Sequence, residues 1–187
     1  MKTAPFRPVI KTILMSWVVW ILVGQCATVD AQLHDERAVR AAYVFNLLQF
    51  VEWPPDKHDL LLGVLGGQIT GDVFGKMLEG KKVDGRTIHV RLARSDEELR
   101  LCDIVYFADA ETSRPKSVLT NLRDSKILTI GEANSFAQDG GIVGLVKEDE
   151  HIQIQVNIEA AQHARVSISS HVLNLAVIVR PAHKGKN

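Results

Sequence analysis

The sequence predicts an α/β domain built as a three-layer sandwich, with helices on both faces of a mixed, mostly parallel sheet. Segments with helical periodicity alternate with short apolar runs along the chain, which is typical of this class. The runs at 60–65 and 104–107 are apolar without interruption, as expected of strands buried on both faces. Strands at 142–146 and 152–156, joined by the polar residues 147–150, predict an antiparallel hairpin at one edge of the sheet.

The first predicted helix begins at Asp35, a residue type that caps helices, and runs to Val51. Trp53 followed by Pro54 and Pro55 ends it, because proline lacks an N–H and restricts the residue before it. The remaining predicted elements follow in chain order: a strand at 60–65, a helix at 72–78, strands at 87–92 and 104–107, helices opening at Ser95 and Ser113, a strand at 126–130, a short helix at Phe136, the hairpin, a helix capped by Asn157, and a last helix from Ser167 or Ser169 to Val179.

The composition is that of a folded globular chain. Its 187 residues are 46% hydrophobic, and 22 basic residues balance 22 acidic ones. Such a chain is neither disordered nor collagen-like, and its length fits one domain. The zero formal charge gives no electrostatic reason to expect nucleic acid as a partner.

The N-terminus has the three-part pattern of a secretory signal peptide. Three basic residues precede an uncharged stretch at 12–29, and small residues allow cleavage after Ala31. We therefore divide the chain into a signal peptide, residues 1–31, and a single exported domain, residues 32–187. An uncleaved membrane anchor and a lipoprotein attached through Cys26 are the alternatives.

Cys102 is the only cysteine that remains after this cleavage, so no intrachain disulfide forms in the cleaved chain. It opens an apolar run that continues to Phe107. We therefore expect a buried and reduced thiol at the start of a strand.

No segment has the residue pattern of a catalytic or metal site. The glycine-rich segment at 66–76 lacks both the P-loop and the Rossmann spacing, so we interpret it as a strand-to-helix turn. No histidine pair has a tight metal-ligand spacing, and we expect no metal and no cofactor. Ser170 and His171 are adjacent, but a nucleophile meets its base in space, and the motif around a hydrolase nucleophile is missing.

The first helix is the least ordinary feature of the sequence. Between residues 41 and 51 only two side chains are strongly polar, whereas a surface helix normally has one apolar stripe. One interpretation is a central helix packed inside the domain, and the other is a helix that partly meets a partner chain. On the second interpretation we predict partner-binding residues at Phe45, Leu48, Phe50 and Trp53.

Short segments along almost the whole predicted domain resemble the YfiR-like family of periplasmic proteins. No single motif is decisive, but the order and spacing of the segments are specific. They are 40–46, 50–54, 63–66, 74–75, 101–106, 128–130, 136–137, 140–141, 156–158 and 168–170, followed by Leu173 and Leu175.

The resemblance implies an α/β sandwich and a periplasmic regulator that is not an enzyme. The best-known member represses a membrane-bound diguanylate cyclase by acting on its periplasmic sensing domain, and its release raises cyclic di-GMP and favours biofilm growth. The implied partner is an inner-membrane diguanylate cyclase or another sensor protein. Apart from the resemblance, a homodimer of this chain is an open alternative. Some members carry paired cysteines, whereas this chain keeps only Cys102, so a redox-active intrachain bridge is not expected here.

Two other functions compete with this one. The first is a periplasmic small-ligand binding module without enzymatic activity. Its site is expected at the carboxyl ends of the strands, where open α/β sheets bind ligands, with residues 66–75 as one wall. The second is a hydrolase that uses Ser170 and His171, for which the sequence offers no supporting motif.

Overall fold

The structure, a computed structural model, describes residues 36–56, 59–108, 115–149 and 151–181. The predicted signal peptide, the predicted Asp35 cap and the predicted helix start at Ser113 lie outside these ranges. The chain from Ala38 onward forms one compact unit, and the fold below is the fold of that unit.

The helices, in chain order, are α1 at 36–48, α2 at Gln68–Leu78, α3 at Asp96–Arg100, α4 at Pro115–Leu122, α5 at Ile158–His163 and α6 at Ser170–Leu173. The strands are β1 at Val51–Glu52, β2 at Asp59–Leu65, β3 at Lys82–Val83, β4 at Arg86–Leu92, β5 at Ile104–Phe107, β6 at Leu128–Gly131, β7 at Val143–Glu148, β8 at His151–Asn157, β9 at Ser167–Ile168 and β10 at Val177–Val179.

The central sheet has eight strands in the order β10-β8-β7-β6-β5-β2-β4-β3. Five of its seven neighbouring pairs are parallel, and the pairs β7–β8 and β3–β4 are antiparallel. Strands β1 and β9 form a separate antiparallel pair. The predicted mixed, mostly parallel sheet is confirmed.

Helices cover both faces of this sheet, which gives the predicted three layers. Alternate residues of a strand point to opposite faces. In β5, Ile104 and Tyr106 belong to a core cluster with α1, α2, α5 and α6, whereas Val105 and Phe107 belong to a second cluster with α3 and α4. The four residues of this strand are buried, as expected for a strand covered on both sides.

The predicted last helix is wrong in its second half. Helix α6 ends at Leu173, and residues Val177–Val179 form β10, which pairs in parallel with β8. A run of three β-branched residues favours a strand when a neighbouring strand offers its free edge. The hairpin β7–β8 is antiparallel as predicted. It does not form the edge of the sheet, because β10 lies beside β8 as the edge strand.

The first helix ends earlier than predicted. Gln49 and Phe50 donate to carbonyls three residues back, which tightens the last turn, and Val51 then pairs with Ile168 in the β1–β9 sheet. The prolines thus lie beyond the helix end, and the pairing with β9 decides where the helix stops. The local pattern could not reveal this, because β9 is more than a hundred residues away in the chain.

Three of the predicted helix starts are confirmed as caps. The hydroxyl of Ser95 accepts a hydrogen bond from the N–H of Glu98, the side-chain oxygen of Asn157 accepts one from the N–H of Ala160, and the hydroxyl of Ser169 accepts one from the N–H of His171. Two other element predictions are wrong. Helix α2 begins at Gln68 rather than at residue 72, and Phe136 lies in a succession of turns rather than on a helix.

Candidate functional site

The four residues predicted to bind a partner have different environments. Leu48 is fully buried in the core beneath α1, so it is not available to a partner and its prediction as a contact residue is wrong. Phe45 and Trp53 are half-buried and pack against the same core. Phe50 is 38% exposed. The exposed apolar surface at this end of α1 is therefore centred on Phe50.

Trp53 closes the C-terminal end of α1. Its indole Nε1 donates a hydrogen bond to the carbonyl oxygen of Leu48 at 3.1 Å. The last carbonyls of a helix have no partner within the helix, so this bond satisfies one of them. The indole is thereby held in one orientation, with part of its ring accessible.

Phe50 is held against the C-terminal part of the chain. Its ring stacks on the imidazole of His171, with ring centroids 5.5 Å apart and an interplanar angle of 16°. Its carbonyl oxygen accepts a hydrogen bond from the N–H of Ser169 at 2.8 Å. The pairing of β1 with β9 fixes the backbone directly after Phe50 and the backbone directly before Ser169. The exposed aromatic ring is therefore preorganised.

A cationic side chain lies over the ring of Phe45. The Nζ of Lys81 lies 4.7 Å from the centroid of the Phe45 ring, within the range of a cation–π contact. A partner that covers this ring has to displace or accommodate the ammonium group.

A buried polar network fixes α1 to the sheet. Arg40 is 9% exposed; its Nη1 donates to the carbonyl oxygen of Leu145 at 2.9 Å, and its Nε lies 3.6 Å from Oε2 of Glu132. The hydroxyl of Tyr106 donates to the other carboxylate oxygen of Glu132. The network joins α1, β5, β7 and the end of β6, so the helix that precedes Phe50 has a fixed position over the sheet.

The sequence did not predict an apolar surface near the C-terminus. Leu175 is 76% exposed, and Val177 and Ile178 on the edge strand β10 are also exposed. All three residues lie within the last helix as predicted to Val179, but that helix ends at Leu173. The β-branched run at 177–179 was the available signal for a strand.

Cys102 is buried, as predicted. Its Sγ lies 3.3 Å from the carbonyl oxygen of Glu98, to which the thiol donates, and burial raises the pKa of this thiol to about 11. The thiol also packs against Gly63 of β2, where a Cβ would lie 2.6 Å from the sulfur. The protonated, unreactive form is therefore favoured at neutral pH.

Among the described residues, no group of three or more histidine, cysteine, aspartate or glutamate side chains is placed to hold a metal ion. Ser170 begins α6 and His171 stacks on Phe50. In the part of the chain that the structure describes, no carboxylate is hydrogen-bonded to the His171 ring to orient it as a base. No helix in the described ranges has the length and apolarity needed to cross a membrane.

The structure contains a cleft of about 530 Å³ between α4, the turn at 138–142 and α5. It lies at the amino ends of β6 and β7, and residues 66–75 are not among its lining residues. The predicted ligand position at the carboxyl ends of the strands is therefore not where this cleft lies. The glycine-rich segment is instead a packed turn at Gly66 and Gly67 that leads into α2: a Cβ on Gly66 would lie 2.7 Å from the Cβ of Ala108.

Comparisons with known proteins give a family and a fold. The model of the YfiR/HmsC-like family matches residues 37–177. No curated protein matches the chain in sequence.

A crystal structure of a conserved domain protein from Vibrio cholerae is similar, with a TM-score of 0.51 and 12% identity over 74% of this chain and 59% of that one. The ABC domain in complex with L-Trp from Streptococcus pneumoniae has a TM-score of 0.46 and 14% identity over 64% of this chain and 55% of that one. The chain thus spans less than two thirds of the length of both proteins. At this identity the Vibrio protein shows a shared fold alone.

Proposed function

The chain belongs to the YfiR/HmsC-like family, and we propose that it is a periplasmic regulatory protein that represses an inner-membrane signalling protein. The proposed partner is the periplasmic sensing domain of a diguanylate cyclase, so that repression lowers cyclic di-GMP and restrains biofilm growth. Another membrane sensor protein is the alternative partner. The proposal assigns no catalytic residue, no metal and no cofactor to the chain, and no role for nucleic acid.

The observation that carries the docking surface is the preorganised ring of Phe50. Interface energy is concentrated in a few anchors, often aromatic, that are rigid before binding. Phe50 is exposed, stacks on His171 and is fixed by a backbone hydrogen bond from Ser169, so binding a partner orders little that is not already ordered. Phe45 and Trp53, both half-buried, complete the proposed surface.

The proposal includes export. We propose cleavage after Ala31 to leave a single domain of residues 32–187, on the signal-peptide pattern of the N-terminus. Intact-mass measurement of the periplasmic fraction is expected to find a chain that begins at Gln32. A mass that still contains residues 1–31 would contradict cleavage and support a membrane anchor.

The docking surface is tested with Phe50→Ala in cells that carry the cognate cyclase. Because Phe50 is partly exposed, its truncation is expected to cost only about 1–2 kcal/mol of folding free energy. We expect the variant to remain folded, by melting temperature and circular dichroism, and to raise cyclic di-GMP. Trp53→Ala, assayed in the same way, tests the neighbouring part of the surface.

Two control variants separate docking from stability. Ile69→Ala removes a more exposed apolar side chain in the first turn of α2, whereas the Lys81 that contacts Phe45 follows the opposite end of that helix, and the variant should repress like the parent. Leu48→Ala should lose about 2–5 kcal/mol of stability and lose repression through unfolding. If Phe50→Ala and Trp53→Ala are both folded and repress like the parent, this surface is not the docking site.

A further inference from the structure

The cleft between α4 and α5 has the size and composition of a small-molecule site. Its volume of about 530 Å³ lies within the range of ligand pockets in proteins. Its apolar lining comes from α4, from α5 and its C-cap, and from the residues that directly precede β6 and β7: Leu119, Leu122, Ile127, Ile142, Ala160 and Ala164. The apolar lining favours a ligand with an apolar body.

The polar groups of the floor are already used within the protein. The hydroxyl oxygen of Thr129 accepts a hydrogen bond from the N–H of Ile142 at 3.0 Å. Asn157 donates to the carbonyl oxygen of Ala137 at 2.7 Å and accepts from the N–H of Ala160 at 2.9 Å. Both side chains are buried, so the floor holds the walls together rather than offering these groups to a ligand.

The rim carries charges of both signs, and they are not equivalent. The Nζ of Lys116 lies 3.0 Å from Oδ1 of Asp139, whose other oxygen accepts from Ser135, so this pair is largely neutralised within the protein. A ligand at this side of the rim meets a satisfied ion pair.

Arg123 is differently placed, at the end of α4. Its Nη2 contacts Nε2 of His163 at 3.0 Å, and because a guanidinium only donates, the imidazole accepts there. A guanidinium has several N–H donors, so this contact leaves others for a ligand. Glu159 lies 3.8 Å from the same imidazole nitrogen and makes no ion pair with Arg123 in the described part of the chain. Arg123 is thus the cation that remains for recognition, and Glu159 is a nearby carboxylate that a bound anion has to avoid.

We propose that this cleft binds a small organic anion. Its carboxylate or phosphate group accepts hydrogen bonds from Arg123, and its apolar body lies on the lining near Leu119 and Ile142. Planar guanidinium groups bind both kinds of anion with two parallel hydrogen bonds. The site is independent of the proposed docking surface, and its test needs no partner protein.

The test is isothermal titration calorimetry of the mature protein with two probes, benzoate and phenyl phosphate. We expect at least one of them to bind, and the tighter one identifies the preferred anionic group. Arg123→Gln should weaken that binding about tenfold or more, because it removes a charge-assisted hydrogen bond. Ala160→Leu, which places a larger side chain in the cleft, should weaken it as well.

The matched control is Arg100→Gln, which removes an exposed arginine at the end of α3 on the same face of the sheet and should bind like the parent. Inorganic phosphate has the charge without the apolar body and should bind more weakly than phenyl phosphate. Benzyl alcohol has the ring without the charge and should also bind more weakly. The proposal is overturned if neither probe binds up to about 10 mM, if inorganic phosphate binds as tightly as phenyl phosphate, or if Arg123→Gln and Ala160→Leu both bind like the parent.

Discussion

Replacing Arg40 by methionine should strongly destabilise the protein, because it leaves a buried carboxylate without its counter-charge. The side chains of Arg40 and Glu132 are 11% and 15% exposed, so neither is well solvated. Breaking a buried ion pair by removing one partner costs about 3–5 kcal/mol. The carbonyl oxygen of Leu145 also loses the donor at 2.9 Å. Because both side chains keep some contact with water, we expect a loss near the lower end, about 3 kcal/mol.

The double variant Arg40→Met, Glu132→Gln should recover part of this loss. The amide oxygen of the new glutamine still accepts the hydrogen bond from Tyr106, and a neutral amide needs no counter-charge. We therefore expect the double variant to lose about 1–2 kcal/mol, less than the single arginine variant. The effects of the two substitutions should then be strongly non-additive.

Urea unfolding of the parent, both single variants and the double variant measures these free energies in one cycle. Strictly additive losses would show that Arg40 and Glu132 do not interact energetically. A loss below about 1 kcal/mol for Arg40→Met would show that the pair is solvated, since exposed pairs have that magnitude. Either result would refute the argument that this network fixes α1 to the sheet.

Two further predictions concern the close contact between Gly63 of β2 and Cys102. Gly63→Ala should lose about 1–3 kcal/mol of stability because its Cβ would lie 2.6 Å from the sulfur of Cys102, and adding Cys102→Ala should restore most of that loss. Gly75→Ala on α2, where a Cβ meets nothing within 4 Å, should instead be neutral or stabilising. Thermal unfolding distinguishes the three variants. Cys102 should react slowly with thiol reagents at pH 8 in the native protein and rapidly in denaturant, because its raised pKa of about 11 keeps it protonated until the pH approaches that value; rapid native labelling, or a covalent dimer on non-reducing gels, would contradict burial.

The sequence by itself determined the layered α/β architecture, because each of its signals is local. Continuous apolar runs such as Ile104–Phe107 are typical of strands covered on both faces, and that strand is buried throughout. Ser95 and Asn157 cap helices through hydrogen bonds that span three residues, which a sequence pattern can reveal. The burial of Cys102 followed from its position beside such a run.

Only the tertiary structure decided which apolar residues are left for a partner. An apolar run around a helix does not tell which side faces the core, and Leu48 proved to be buried while Phe50, two residues later, is exposed after the helix has ended. The position of Phe50 depends on β9 and His171, more than a hundred residues away in the chain, and no local periodicity encodes such a pairing. The edge strand β10 likewise forms because β8 offers it a hydrogen-bonding edge, an interaction that exists only once the sheet is assembled.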